Sequence, residues 1–367
     1  MVVDELANMR SKDIPYSRVL SSMCTTPHPI AVEAHKMFLE TNLGDPGIFC
    51  GTAGLEEKLI SLLGEILQNR QLSGYICSGG TEANIQAIRA ARNIKKGKNI
   101  VVPRSAHFSF EKVGDILGLE VRKAELTKEF KVDVSSVEDL VDSQTVSVVG
   151  VAGNTEFGQT DPMEELSDIA ADKGIPLHVD AAFGGLIIPF MEQKQKPSFD
   201  FRLEGVTSMT IDPHKMGMAT IPSGGIFFRN ENYINALAIE TPYLTSVRQI
   251  TLTGTRPGTG VASAYAVLKH LGRRGMEDIV KRCLNNTSLL VSEMSALGFE
   301  PVIEPPMNIV CFETEKCEII KEELYKKRWV ISTISDPRAI RFVIMPHLGE
   351  EIIKKFVSDF KIILKGV

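Results

Sequence analysis

Four short runs of this chain carry residue types that do chemistry. The run Ser78-Gly79-Gly80-Thr81-Glu82-Ala83-Asn84 sets two glycines and a hydroxyl between a predicted strand and a predicted helix. Glycines let backbone approach an anion, a helix N-terminus presents unbonded N–H groups, and Thr81 adds a donor, so the run reads as a phosphate cradle without a Walker lysine. Alone, a glycine pair reads more simply as a tight turn. The run His178-Val179-Asp180-Ala181-Ala182 closes an apolar strand. Asp180 suits a cap, a metal ligand or the partner of a protonated ring nitrogen; no further ligands stand at a useful spacing for a metal, and small Ala182 leaves room for a flat ring. In Thr210-Ile211-Asp212-Pro213-His214-Lys215, the lysine ends a strand with His214 as its only basic neighbour. A lysine is usually a solvated charge, whereas a desolvated one near cations loses its proton and becomes a Schiff-base nucleophile. The fourth run, Ser105-Ala106-His107-Phe108-Ser109, follows another strand. A single histidine is more often structural, but one at such an edge can stack over a heteroaromatic ring.

Read together, these are an anion cradle, a ring cover, an acid for a ring nitrogen and an amine for a carbonyl. A pyridine aldehyde phosphate uses all four, and pyridoxal phosphate supplies an electron sink that side chains lack. The elements that must position them are legible as β-branched runs alternating with helical stretches, the pattern of a mainly parallel sheet covered on both faces. Seven strands are expected, at 74–77, 99–103, 120–124, 145–152, 176–180, 207–211 and 225–229. Asp161-Pro162-Met163-Glu164 predicts a helix start with Asp161 as cap, and Gly174 its stop. A helix is likewise expected over 81–96. The four runs then sit at the C-terminal ends of strands, where open α/β sheets bind ligands. Past residue 260, helices at 261–273, 276–297, 316–328 and 350–364 enclose strands at 300–303, 309–313, 330–333 and 340–345. The expected organisation is an N-terminal arm over 1–45 with a helix near 30–40, a large domain over 46–260, and a smaller α/β domain over 261–367.

Composition narrows the classes. The 367 residues are 43% hydrophobic and 24% charged, enough for a sizeable core and unlike a disordered chain. Lys and Arg number 41 against 46 Asp and Glu, a formal net charge of −5, whereas a general nucleic-acid binder needs a basic face. The opening MVVDELANMRSKD has no apolar core before a cleavage site, so no secretory signal is readable. No apolar run approaches the roughly 18 residues of a membrane span. Six cysteines, at 24, 50, 77, 283, 311 and 317, form no CxxC pair and read as thiols in a reducing cytosol. A soluble cytoplasmic protein without a metal site is expected.

The combination SGGTEAN, AHFSFEK, HVDAAFGGLIIPF, TSMTIDPHKMG and TPYLTSVRQITLTGTRPG resembles the fold-type I pyridoxal-phosphate enzymes of the group II amino-acid decarboxylase family, in particular the archaeal L-tyrosine/L-aspartate decarboxylases. The likeness runs from about Asn42 to the closing helix. It implies that Lys215 forms the Schiff base with the cofactor, that Asp180 pairs with the pyridinium nitrogen, that His107 stacks on the ring and that Ala182 lies on its other face. Gly80 and Thr81 match the phosphate cradle, His214 a further cofactor contact, and Thr155 a residue near the ring substituents. Thr255 resembles a hydroxyl given to the phosphate by a second subunit, which implies a homodimer with shared sites. Gly80 stands where some relatives carry a hydroxyl, one side-chain donor fewer.

The implied reaction is α-decarboxylation of an L-amino acid, with Tyr243 a candidate proton donor to Cα and Arg341 a candidate fork for the substrate carboxylate. For Tyr243 a packed aromatic is an equally good reading. The chemical rivals are a carbon–carbon lyase of the sphingosine-phosphate-lyase type and an aminotransferase; His directly before Lys resembles decarboxylases and such lyases more than aminotransferases. A non-catalytic pyridoxal-phosphate-binding protein is the rival of another class, and Lys215 together with Asp180 speaks against it. Tyrosine would give tyramine, aspartate β-alanine and glutamate γ-aminobutyrate; the resemblance suggests the first two, for methanofuran and coenzyme A synthesis. An acidic side chain calls for a second cation, for which Arg248 and His28 are candidates.

Overall fold

The computed structural model describes residues 1–366. Its strands are β1 Ser73–Cys77, β2 Asn99–Pro103, β3 Glu120–Ala124, β4 Thr145–Val151, β5 Leu177–Asp180, β6 Val206–Ile211, β7 Gly224–Phe228, β8 Ile239–Glu240, β9 Arg248–Gln249, β10 Ile309–Glu313, β11 Ser332–Ser335 and β12 Arg338–Val343. The helices are α1 Val2–Ser11, α2 Pro29–Met37, α3 Cys50–Ile66, α4 Gly80–Lys95, α5 Ser109–Leu117, α6 Val134–Leu140, α7 Met163–Asp172, α8 Glu231–Asn235, α9 Thr259–Ser295, α10 Cys317–Lys326 and α11 Glu350–Leu364. Residues 27–277 form one compact unit, and residues 1–26 with 278–366 another.

In the 27–277 unit, seven strands make one sheet in the order β1-β7-β6-β5-β4-β2-β3. All seven expected strands are present, each within two residues of its expected ends. Strands β2, β4, β5 and β6 are buried at every position, as in a sheet covered on both faces; β2 and β4 read as continuous Val- and Ile-rich runs, while β5 and β6 also bury polar residues. β7 runs antiparallel to both β1 and β6, while β6, β5, β4, β2 and β3 are mutually parallel. The C-terminal ends of β1, β2, β4, β5 and β6 therefore share one edge. That edge receives all four chemical runs.

The other unit carries the three-stranded sheet β10-β12-β11. Its core is aromatic: Phe312 meets Phe342 at 5.9 Å, Phe342 meets Phe356 at 5.3 Å, and Trp329 meets Phe356 at 5.4 Å, all edge to face.

Several expectations are corrected. The N-terminal arm is divided between the units. Its first part is pinned by backbone pairing, Leu20 N–H donating to Val330 O (2.8 Å) and Val343 N–H to Leu20 O (2.7 Å), while Leu43 N–H donates to Arg256 O (2.7 Å) in the other unit. The units divide between residues 277 and 278, inside α9, and not at 260/261. Within α9, Gly272 takes φ 59°, a left-handed value that breaks the run near the expected junction of two helices. The expected strand at 300–303 is only a bridge between Pro301 and Phe312, as a proline without an N–H explains. Asp161 does not cap α7; it is buried, accepting Val132 N–H (2.8 Å) and Val151 N–H (2.7 Å), so it stitches loops to β4 instead.

Candidate active site at the C-terminal edge of the large sheet

The first turn of α4 has no side-chain cap, and Glu82 folds back to accept the N–H (3.0 Å) and hydroxyl (2.7 Å) of Ser78. The helix start is thereby anchored while its first amides stay available to an anion. Gly80 is where three elements converge: a Cβ there would lie 3.1 Å from Asp212 Oδ2, 3.3 Å from Ala182 Cβ and 3.5 Å from Thr210 Cγ2. Any side chain at Gly80 would narrow the space between cradle, acid strand and lysine turn.

At the end of β5, Asp180 is 6% exposed. Its Oδ1 accepts Ala182 N–H (3.1 Å) and its Oδ2 accepts Asn84 Nδ2–H (2.9 Å). At the end of β6, Lys215 Nζ lies 3.0 Å from Asp212 Oδ2, and His214 Nε2 lies 3.8 Å from the same oxygen. His214 Nδ1 donates to the Ser223 carbonyl at 2.7 Å, which fixes the ring and turns Nε2 towards Asp212. Asp212 is 3% exposed, and its Oδ1 is buried with no protein hydrogen-bond partner.

His107 follows β2 and is half-buried, with Nδ1 accepting Ser109 N–H (3.2 Å) and its ring 4.0 Å from that of Phe108. Burial holds its imidazole below the ordinary range; Asp180 opposes this and Lys215 reinforces it, so His107 shares the electrostatics of both.

The edge thus brings together Gly80, Asp180, Ala182, His214 and Lys215, with His107 coupled to them by charge. Thr81, next to Gly80, and Thr155, in the loop after β4, stand at the same edge, and the remaining expected residues lie elsewhere on the chain. Thr81 is half-buried in the first turn of α4, and Thr155 half-buried in the loop after β4. Tyr243 is 85% exposed between β8 and β9, Arg248 is exposed on β9, and Thr255 is exposed beside buried Arg256. His28 caps α2, its Nδ1 accepting Ile30 N–H (3.3 Å). Arg341 is in the other unit on β12, buried, with Nη1 donating to Ser332 Oγ (3.0 Å) and Ser21 O (3.2 Å).

Three residues at the edge had no role assigned from sequence. Asp212 stood inside one of the four runs beside the lysine. Arg256 forks onto Glu56 (2.7 and 3.0 Å) and reaches Ile76 O (2.7 Å), rooting the loop that carries Thr255 beneath β1. Asn84 is 1% exposed on α4 and joins α5, β5 and β6. A short amide between buried Ala83 and Ile85 was the signal available for it.

Among the described residues no three His, Cys, Asp or Glu side chains are grouped to hold a metal, and no helix is long and apolar enough to cross a membrane.

Residues 54–315 match the pyridoxal-dependent decarboxylase conserved domain. A probable L-aspartate decarboxylase of Archaeoglobus fulgidus is 66% identical over 366 residues, covering 99% of both chains. A probable L-tyrosine/L-aspartate decarboxylase of Methanothrix thermoacetophila is 53% identical over 99% of this chain and 95% of its own. Among solved structures, a sphingosine-1-phosphate lyase of Burkholderia pseudomallei superposes with a TM-score of 0.90 at 24% identity, covering 99% of this chain and 90% of the other. A glutamate decarboxylase of Lactobacillus brevis does so with 0.89 at 22%, covering 99% and 91%. At those identities the likeness is one of fold, that of the fold-type I pyridoxal-phosphate enzymes.

Proposed function

This chain belongs to the pyridoxal-dependent decarboxylase family, and from that membership we propose which of its residues serve the reaction and on which amino acid. The protein is a pyridoxal-phosphate-dependent amino-acid decarboxylase. The edge of the large sheet fits that cofactor: the uncapped start of α4 suits a phosphate, Gly80 keeps open a space that a Cβ would narrow, and a buried acid and a lysine border it.

In this reading Gly80 and Thr81 take the phosphate, with Thr155 and His214 as further contacts. His107 covers one face of the ring and Ala182 leaves room on the other. Asp180 holds the ring nitrogen in its protonated form, and Lys215 Nζ is the tethering amine. Bound there, pyridoxal phosphate supplies the sink for the electron pair left when the substrate carboxylate departs. Asp212 Oδ2, 3.0 Å from Lys215 Nζ, takes the proton the amine must lose to act as a nucleophile. The observation that carries this reading is the Lys215–Asp212 pair closing on Gly80, at the same edge as Asp180.

Tyr243 is the candidate donor of the proton returned to Cα, and Arg341 the candidate fork for the substrate carboxylate. The working form is a cytoplasmic homodimer with shared sites, in which Tyr243 and Thr255, both exposed on their own chain, serve the second copy. Helix α1 supports the dimer: it buries none of its residues and leaves Val2, Val3, Leu6 and Met9 more than half exposed.

For the substrate, the relatives' names favour L-aspartate and L-tyrosine over L-glutamate, giving β-alanine and tyramine. Incubating the holoenzyme with all three in competition tests this. Carbon dioxide with β-alanine or tyramine is the expected result; γ-aminobutyrate as the main product would overturn the substrate assignment, and an aldehyde or keto acid the roles given to the side chains.

A further inference from the structure

Every polar atom of the Asn84 side chain is committed, and the directions of those bonds are fixed at one end. Nδ2 faces Asp180 Oδ2 (2.9 Å) and Ser109 Oγ (2.9 Å); Oδ1 faces Thr210 Oγ (2.7 Å) and His178 Nε2 (3.0 Å). A carboxylate only accepts, so the amide cannot be turned round without setting two acceptors against each other. Its oxygen must then face His178, whose Nε2 must donate. Nδ1 is left as the acceptor for the Ser208 hydroxyl at 2.9 Å. Burial pushes the His178 imidazole down to about 4, so at neutral pH the ring has one proton, and the network places it on Nε2. The result is a line of donors pointing one way: Ser208 to His178, His178 to Asn84, Asn84 to Asp180. Asn84, Ser109, His178 and Thr210 are each no more than 1% exposed and Ser208 is 4% exposed, so protein groups, with little access for solvent, set the order.

We propose that Asn84 is a positioning residue for the cofactor's ring nitrogen: backed by His178 and Thr210, it holds the Asp180 carboxylate as an oriented acceptor. This rests on the reading of Asp180 as partner of that nitrogen. Asn84 and the Ala182 amide each occupy one carboxylate oxygen with one donor, which leaves lone pairs on both for an incoming N–H. Without Asn84 the carboxylate would have one donor and freedom to rotate. A merely structural amide tying α4 to β5 and β6 would stabilise the fold equally whatever ring was bound. A positioning amide matters only when the ring has a nitrogen.

The test is binding to apo-protein by equilibrium dialysis, using pyridoxal phosphate and its 1-deaza analogue, which carries carbon in place of the ring nitrogen. Asn84→Leu is expected to weaken pyridoxal phosphate about tenfold, the scale of one charge-assisted hydrogen bond, and to leave the analogue unchanged. Should the leucine variant fail to fold, Asn84→Ala, the better helix former, gives the same selectivity with a smaller loss. Equal loss for both ligands, or none for either, overturns the proposal. Asp180→Asn separates the two readings: if it too fails to distinguish the ligands, the assignment of Asp180 falls, whereas if it distinguishes them and the Asn84 variants do not, only the role of Asn84 falls. In ¹⁵N-histidine-labelled protein at pH 7, His178 is expected to carry its proton on Nε2, and a proton on Nδ1 would contradict the network.

Discussion

The core of the smaller unit is built from Trp329, Phe312, Phe342, Phe356 and Phe360 against Leu20, Ile340 and Val357, a packing in which shape decides and direction hardly matters. The edge of the large sheet buries Asn84, His178, Asp180, Thr210 and Asp212 just as deeply. There the groups are held by bonds of definite direction, four of them on Asn84 alone. Removing a methylene from the aromatic core forfeits its transfer free energy and leaves a cavity behind. Removing one partner at the edge leaves another polar group buried and unpaired, and a stability measurement need not register what that does to chemistry. Apolar burial fills the core of the smaller unit, whereas the sheet edge of the larger one buries polar groups alongside its own apolar clusters.

That contrast can be broken by experiment. Lys215→Ala should lower decarboxylation by about four orders of magnitude or more, some 5 kcal/mol of barrier, while still giving a cooperatively folded protein, less stable only by what the unpaired Asp212 costs. A large fall in stability with activity retained would make the lysine structural. Conversely, Phe356→Ala should cost about 3–5 kcal/mol in urea titration, as for other fully buried phenylalanines, and leave the affinity of the folded protein for pyridoxal phosphate unchanged. A loss of affinity without loss of stability would erase the distinction between the units.

Two buried titratable groups of the large unit sharpen the comparison through pH. Burial pushes His178 down to about 4, so the stability of its neutral form is present above its unfolded value of 6.5 and is lost as pH falls towards 4. Burial pushes Asp161 up to about 6, so its contribution is present below 3.8 and is lost as pH rises through 6. Each is worth about 3 kcal/mol, with opposite signs, and between pH 6 and 4 they offset each other. Asp161→Asn should therefore make the protein less stable at pH 4 than at pH 6.5, and His178→Gln should do the reverse, as read from urea midpoints. Identical pH profiles in the two variants would rule this out. The smallest effect is expected from the exposed Lys354–Glu350 pair at 2.6 Å on α11, where Lys354→Ala should leave the urea midpoint unchanged within error.

The strands, the lysine and the acid were legible because their signals are local. A β-branched run bounded by turn residues declares a strand within five or six positions, and a lysine or aspartate at its end inherits a place on the sheet edge. Asp212 and Asn84 both belong to the four chemical runs, yet nothing within a few residues of Asn84 says that it will meet Ser109, His178, Asp180 and Thr210. Asp161 shows the opposite error: its local pattern fits a cap, and loop pairing at Val132 and Val151 claimed it instead.

By itself the sequence determined the α/β class, the seven strands of the large sheet, and which residue types stand at their ends, because periodicity and turn chemistry act over a few residues. Only the tertiary structure decided the rest: the strand order that puts β1, β5 and β6 on one edge, the division of the N-terminal arm between two units, and the partners of Asn84 at separations of 25 to 126 residues. Those outcomes depend on which strands pair and in what register, and pairing is settled by the burial of the whole sheet at once.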